Sequence, residues 1–418
     1  MAVDRMANSK ARILVIGGGF GGLFTALGLG DAGEVTLVSD EEHYLHTPML
    51  YEYLSGEVEA WQIAPAYKEL LDERVRFVRG EVTGVDFDAR QATVAGRREP
   101  LDYDVLVLSV GGVTNYWNVE GAEQHAMPFR KLADADALRL RMVRALDRVA
   151  PDLNPQEARK ALTFAVVGGG ASGVELSTKM SDLLRDAFER RALPGEPRVL
   201  LIEMGQHVVP GMGEELRDFV EGALLDARVE VHTETRVVRV TEESLTLEFA
   251  GEQTEISAAA VVWTAGVRVS PLIEKLDLEK NKRGYLMVRP TLQTTRHENV
   301  FALGDIAHYE DADARLAGTA QLAFQQSSLA AENVRAFLAG RALASRHFEE
   351  LGEALSLGTE NAAVIADGHA FGGALARQAR YALYTTRLPT WHHRLRVGAS
   401  WFLGGKAARP LQPLGFNR

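Results

Sequence analysis

Six glycines carry the strongest chemical signal in this chain. Gly17, Gly19 and Gly22 are spaced as G-x-G-x-x-G, with Gly21 inside the same turn, and Gly168, Gly170 and Gly173 repeat that spacing roughly 150 residues later. In such a turn the first glycine allows a tight reversal, and the second lets a phosphate approach the backbone. The third lets the following helix pack closely on the preceding strand. A diphosphate then meets the free N–H groups and positive dipole end of the helix. One such motif is weak evidence, but two of them, each between a strand and a helix, point to dinucleotide binding twice over.

The elements that must position these turns are legible. The β-branched run at 13–16 enters the first turn, a helical stretch at 23–29 leaves it, and a second apolar strand occupies 34–38. Strand 163–167, a helix over about 174–192 and strand 198–202 repeat the unit. Buried-type strands at 104–108 and 260–263 close the two halves, and their end turns make Gly111 and Gly266 candidate cofactor contacts. Meander-like β segments lie at 75–94 and 229–249. The expected fold class is α/β, with two Rossmann-like dinucleotide-binding domains, β-meander crossovers and a C-terminal amphipathic helical segment. The expected domains are a discontinuous first one at 1–115 and 286–340, and a helical link at 116–159 broken by Pro151 and Pro155. A second binding domain at 160–285 and an interface segment at 341–418 follow.

Polar residues at the ends of these elements refine the chemistry. Glu203 ends the second strand of the second unit, where a carboxylate accepts ribose hydroxyls and repels a 2′-phosphate, so NADH is favoured over NADPH. In the first unit the strand end reads Ser39-Asp40, and Asp40 is the ribose candidate, one position late. Gly304-Asp305 at a further strand end suits a flavin, whose ribityl hydroxyls a carboxylate can hydrogen-bond. Ala320 and Gln321 open a helix, and Gln321 and Gln325 share one face of it. Paired amides there fit a polar pocket or a solvated surface equally.

Composition excludes several classes. The net charge of −11 opposes nucleic-acid binding. With no cysteine among 418 residues there is no disulfide framework, no thiolate metal site and no redox-active thiol pair. The opening residues lack the apolar run of a signal peptide, and no stretch is long enough to span a bilayer. The expected setting is cytoplasmic. From Gly368 onward there is no Asp or Glu but there are eight Lys or Arg (Arg377, Arg380, Arg387, Arg394, Arg396, Lys406, Arg409 and Arg418), interleaved with aromatics such as Phe416. Leu395, Ala399, Phe402 and Leu403 can share one helix face, and Phe371, Leu375, Ala379 and Ala382 another. Such faces lie in a membrane interface, or pack on the body or on a second subunit.

With these motifs in hand, the sequence resembles the type II NADH:quinone oxidoreductases along essentially its whole length. The matching pieces include GGGFGGL at 17–23, YLHTPMLYEYLSG at 44–56, VVGGGASGVEL at 166–176, VFALGDIA at 300–307 and AQLAFQQ at 320–326. The resemblance implies FAD on the first unit and NADH on the second. Activity would be non-proton-pumping oxidation of NADH by hydride transfer to FAD, then reduction of a membrane quinone. It places Thr47 and Pro48 near the isoalloxazine, Val82 at the adenine, Glu175 beside the nicotinamide, and Gln321 and Gln325 near flavin and quinone. It also implies peripheral attachment to the inner face of the membrane through the basic tail, and allows a homodimer. The family often has an acid where this chain has Ser39. Two other readings compete: a soluble NADH-dependent reductase of a small electron-carrier protein, and an NADH-binding flavoprotein redox sensor.

Overall fold

The computed structural model describes residues 10–149, 153–309, 318–349, 352–366 and 369–403. Pro151, the Asp367–Gly368 charge boundary, Lys406, Arg409, Phe416 and Arg418 lie outside the described residues. The chain forms two compact units: Met1–His46, Ala64–Val113 and Val267–Glu350 make the first, and Thr47–Ile63, Thr114–Gly266 and Leu351–Arg418 the second.

The first unit is built on a parallel sheet in the order Val75–Arg79, Glu34–Ser39, Arg12–Ile16, Val105–Leu108, Val300–Ala302. Ile13, Leu14 and Val15 at its centre are buried on both faces, as a parallel strand covered by helices must be. The helix Phe20–Leu29 packs against Ala320–Leu338. Gly28 makes that approach possible, since a Cβ there would sit 2.9 Å from the Cβ of Ala331. The antiparallel meander Val82–Asp86, Gln91–Val94, Leu101–Asp102 completes the unit.

The second unit repeats the plan. Its parallel sheet runs Val229–His232, Arg198–Ile202, Thr163–Val167, Ala260–Trp263, Met127–Pro128. A three-stranded antiparallel sheet, Arg236–Val240, Ser244–Phe249 and Glu252–Ser257, is the matching meander.

These units redraw the expected boundaries. Segment 116–159 is no free-standing link: Met127 pairs with Val262 in the second sheet, and helix Leu132–Asp147 packs on the same strand. Residues 267–285 join the first unit, because Val269, Leu272 and Ile273 are buried in its core. Residues 47–63 and the tail belong to the second unit. The tail is also not wholly helical. Strands Glu353–Ser356, Ala362–Ala366 and His369–Gly372 form an antiparallel sheet before helices Ala374–Thr386 and Trp391–Leu403. Phe371 therefore sits in a strand and shares no helix face with Leu375. Burial of Ala362, Val364 and Ala376 together drives this arrangement, a long-range gain that a helical reading of the run misses.

Candidate cofactor and nucleotide sites

In the first unit, Gly17 has φ +103°, and a side chain there would strike the Ser109 carbonyl oxygen at 2.2 Å. A Cβ on Gly22 would lie 1.7 Å from the carbonyl oxygen of Gly17, and one on Gly21 2.3 Å from Ser109 Oγ. Around Gly19 the space is open to 4 Å. The protein thus fills the first and third glycine positions with its own backbone and leaves the middle one clear. Helix Phe20–Leu29 starts at Gly19 with no side-chain cap, so its first N–H groups remain for an anion. Tyr67, a residue the motif search passes over, donates from its hydroxyl to the carbonyl of Gly18 at 2.7 Å and holds the turn from below.

Around this cradle, Ser39 is buried at the end of its strand and Asp40 is exposed just beyond it. Val82 is buried at the start of the meander. Gly111 has φ +66° with open space around it. Gly304, at φ +75°, donates its N–H to Gln326 Oε1 at 2.8 Å, and Asp305 is half-buried beside it. Helix Ala320–Leu338 begins behind Thr319, whose hydroxyl accepts from Leu322 N at 3.2 Å. Gln325 donates to the carbonyl of Glu349 at 3.1 Å. The side-chain nitrogens of Gln321 and Gln326 are buried with no partner. A buried donor left unpaired costs about 1–3 kcal/mol, so both amides await an acceptor. An open glycine cradle with orphaned donors fits a flavin dinucleotide. Sequence reasoning identified Gln321 and Gln325 but missed Gln326, the residue that fixes the Gly304 turn.

The second unit carries the same cradle. Gly168 has φ +110° and would meet Ala265 at 2.8 Å, a Cβ on Gly173 would lie 1.8 Å from the Gly168 carbonyl oxygen, and Gly170 faces open space. Helix Ala171–Arg191 starts there without a side-chain cap. Glu203 is already set: Oε2 accepts from Gly169 N at 2.7 Å and Oε1 from Gly205 N at 2.6 Å. A carboxylate has about four acceptor positions, so two backbone bonds fix its orientation and still leave room for ribose hydroxyls. Gly266, at φ +102°, lies under the indole of Trp117.

Glu175 and Thr47 also belong to the second unit. Thr47 is exposed at the start of the turn Thr47–Met49. Glu175 is buried, and its Oε1 accepts from Ser356 N at 2.8 Å and from Arg380 Nη2 at 3.0 Å. Arg380, 1 % exposed, also donates to Glu52 Oε1 at 2.5 Å and to the carbonyl of Pro48 at 2.7 Å. Lys179 pairs with Glu57 and lies 3.6 Å from Glu52, and Arg377 donates to Glu57 at 3.1 Å. Arg380 and Arg377 each lie over a tyrosine ring, Tyr384 and Tyr381. Burial pushes the Glu175 carboxyl up to about 7, with Glu52 adding repulsion and Arg380 opposing. Burial also acts on Glu52, but Arg380 and Lys179 outweigh it and hold that carboxyl below its ordinary value.

Arg377 and Arg380 belong to the basic run that the sequence offers to a membrane surface. The structure spends both inside the second unit. A signal existed in Glu52, which lies within the apolar helix Leu50–Leu54, where an unpaired charge would be costly.

Two glycine cradles, each at the carboxyl edge of a parallel sheet, define a protein that binds two dinucleotides. The chain belongs to the pyridine nucleotide-disulphide oxidoreductase family, whose model matches residues 11–327. Lacking cysteine, it has no disulfide of its own to reduce. It is 37% identical over 408 residues to demethylphylloquinone reductase NdbB of Synechocystis, covering 95% of this chain and 96% of that one. It is 28% identical to a type II NADH:quinone oxidoreductase of Staphylococcus aureus, covering 85% of this chain and 90% of that one. Its fold matches the solved structure of NDH2 from Plasmodium falciparum in complex with NADH, with a TM-score of 0.84 at 18% identity, covering 96% of this chain and all of the other. The resemblance read from the motifs therefore stands.

Proposed function

We propose that the protein oxidises NADH with a bound FAD and delivers the electron pair, with protons, to a quinone. The observation that carries this reading is the pair of matching cradles, each with an open middle glycine and an uncapped helix start, one of them already furnished with an oriented ribose carboxylate. Gly17, Gly19 and Gly22 would hold the FAD diphosphate, and Gly168, Gly170 and Gly173 that of NADH. Asp40, Val82, Gly111, Gly304, Asp305 and Ala320 would line the flavin side. Gly266 would border the nicotinamide half.

Bound FAD would supply the two-electron chemistry that links NADH to the acceptor. The chain's own residues bind, orient and handle protons. Glu203 accepts the adenosine ribose hydroxyls and repels a 2′-phosphate. Gln321 donates its orphaned N–H to a carbonyl oxygen, and Gln325 shares its helix face. Glu175, its carboxyl pushed up to about 7 by burial, would stand beside the nicotinamide as a group able to take or give a proton near neutral pH. The names of the relatives support a quinone as acceptor and, in one case, a naphthoquinone. Steady-state NADH oxidation with a short-chain naphthoquinone, run beside ferredoxin and rubredoxin carriers, tests this. Turnover with the carriers but not the quinone would defeat the quinone assignment.

The quinone is lipid-soluble, and helix Trp391–Leu403 offers a surface to reach it. Trp391, Leu395, Phe402 and Leu403 are exposed on it, and Arg396 lies over the ring of Trp61. Among the described residues no helix is long and apolar enough to cross a membrane. Peripheral attachment at an anionic leaflet fits this face. Removing the whole tail would also remove Arg380 from its buried partners. The cleaner test is Leu395→Ser with Phe402→Ser and Leu403→Ser, which should release the protein from anionic vesicles while leaving NADH oxidation by a water-soluble quinone unchanged.

A further inference from the structure

Trp117 is 64 % exposed, and its indole lies against Gly266 in the turn that follows strand Ala260–Trp263. Its backbone is left-handed at φ +52°, as is that of Asn118 at φ +55°, a region that costs a side-chain-bearing residue about 1 kcal/mol. Four hydrogen bonds over-determine this strained turn. Trp117 N donates to Asn115 Oδ1 at 3.0 Å, and its indole Nε1 donates to the Ala265 carbonyl at 2.6 Å. Asn115 N donates to the Gly266 carbonyl at 3.1 Å, while the Asn115 carbonyl accepts from Trp263 Nε1 at 2.8 Å. The indole is thereby fastened over Gly266: a Cβ there would meet its Nε1, Cζ2 and Cε2 at 3.0, 3.2 and 3.4 Å. An aromatic ring held in strain and left largely in water gains nothing for the core.

Its position says what it is for. Ala265, which anchors the indole, is the residue against which Gly168 makes its tight turn. Strand Ala260–Trp263 lies beside Thr163–Val167, on the opposite side from Arg198–Ile202, the strand that ends at Glu203. A dinucleotide crossing the carboxyl edge of such a sheet puts its adenosine over the strand bearing the ribose acid, and its other half on the far side of the glycine turn. That far side is where Trp117 stands. We infer that the Trp117 indole is a stacking surface for the nicotinamide half of the bound dinucleotide. It is a binding residue of the NADH site, and this rests on the reading of the second unit as that site. Because oxidised nicotinamide is a cation, the indole face also attracts NAD⁺, so Trp117 contributes to product inhibition.

The test uses the FAD-loaded full chain and two non-reducing ligands, NAD⁺ and ADP-ribose, which lacks the nicotinamide. Isothermal titration of wild type, Trp117→Phe, Trp117→Leu and Trp117→Ala gives both dissociation constants. Stacking predicts that Leu and Ala weaken NAD⁺ by about tenfold and leave ADP-ribose within about twofold, while Phe stays near wild type. Should Ala fail to fold, the Leu and Phe pair decides, since Leu keeps bulk and removes the π face. Equal losses for both ligands, or no loss for either, would overturn the inference. A wild type that binds neither ligand would instead overturn the assignment of the second cradle to NADH.

Discussion

Arg380 Nη2 lies 3.0 Å from Glu175 Oε1, joining residues 205 apart in sequence with both side chains buried. The pair belongs to a mostly buried set in which Glu52, Glu57 and Glu175 face Lys179, Arg377 and Arg380. Desolvation makes each charge expensive alone, and only mutual pairing makes the set tolerable. The set binds the 47–63 segment, the helix of the second cradle and the tail into one unit, and it tunes Glu175.

Breaking the set from one side should be costly. Arg380→Leu leaves Glu52 and Glu175 without their guanidinium, and should destabilise the second unit by roughly 3–5 kcal/mol. Urea denaturation followed by tryptophan fluorescence would show it. A loss below about 1 kcal/mol would mean that water reaches the carboxylates.

The pH dependence of Glu175 has a definite sign. Its carboxyl is raised from 4.5 to about 7 in the folded chain. Below 4.5 it is protonated in both states, and its contribution is fully present. As pH rises toward 7, the folded protein keeps a proton that the unfolded chain releases, so stability falls, by an amount on the order of 3 kcal/mol. Glu175→Gln should remove this slope between about pH 5 and pH 8. An unchanged slope in the variant would place the titration elsewhere.

The glycines of each cradle should divide by role. Gly22→Ala and Gly173→Ala drive a methyl into a backbone carbonyl and should prevent folding of their unit. Gly19→Ala and Gly170→Ala place it in open space, so they should leave the melting temperature of the cofactor-free protein nearly unchanged and weaken FAD and NADH retention respectively. Flavin content and NAD⁺ titration, read beside thermal melts, separate the two classes.

Much of this was legible because it is local. The glycine spacing, the flanking strands and Glu203 all lie within single βαβ units, where a short window holds the whole signal. The buried charges were not, since Glu52, Glu175 and Arg380 are meaningless until three distant segments meet. Arg380 in particular reads as a tail charge in sequence and is a core residue in the fold. The sheet formed by Glu353–Ser356, Ala362–Ala366 and His369–Gly372 escaped for the same reason, as short apolar runs look alike until their partners are known. Gln326 was passed over because periodicity favoured the Gln321 and Gln325 face.

Nucleotide choice should follow Glu203. Glu203→Ala removes the ribose acceptor and the repulsion of a 2′-phosphate, along with its hold on Gly169 and Gly205. The expected result is a rise of about tenfold or more in the KM for NADH, with the NADH-to-NADPH ratio of kcat/KM falling toward unity. A variant that keeps its full preference would move discrimination to another residue.

The most direct measurement is an anaerobic spectral titration of the purified, FAD-loaded protein. About one equivalent of NADH should bleach the flavin band, and added quinone should restore it. A flavin band that NADH leaves intact, or that quinone fails to bring back, would contradict the proposed function.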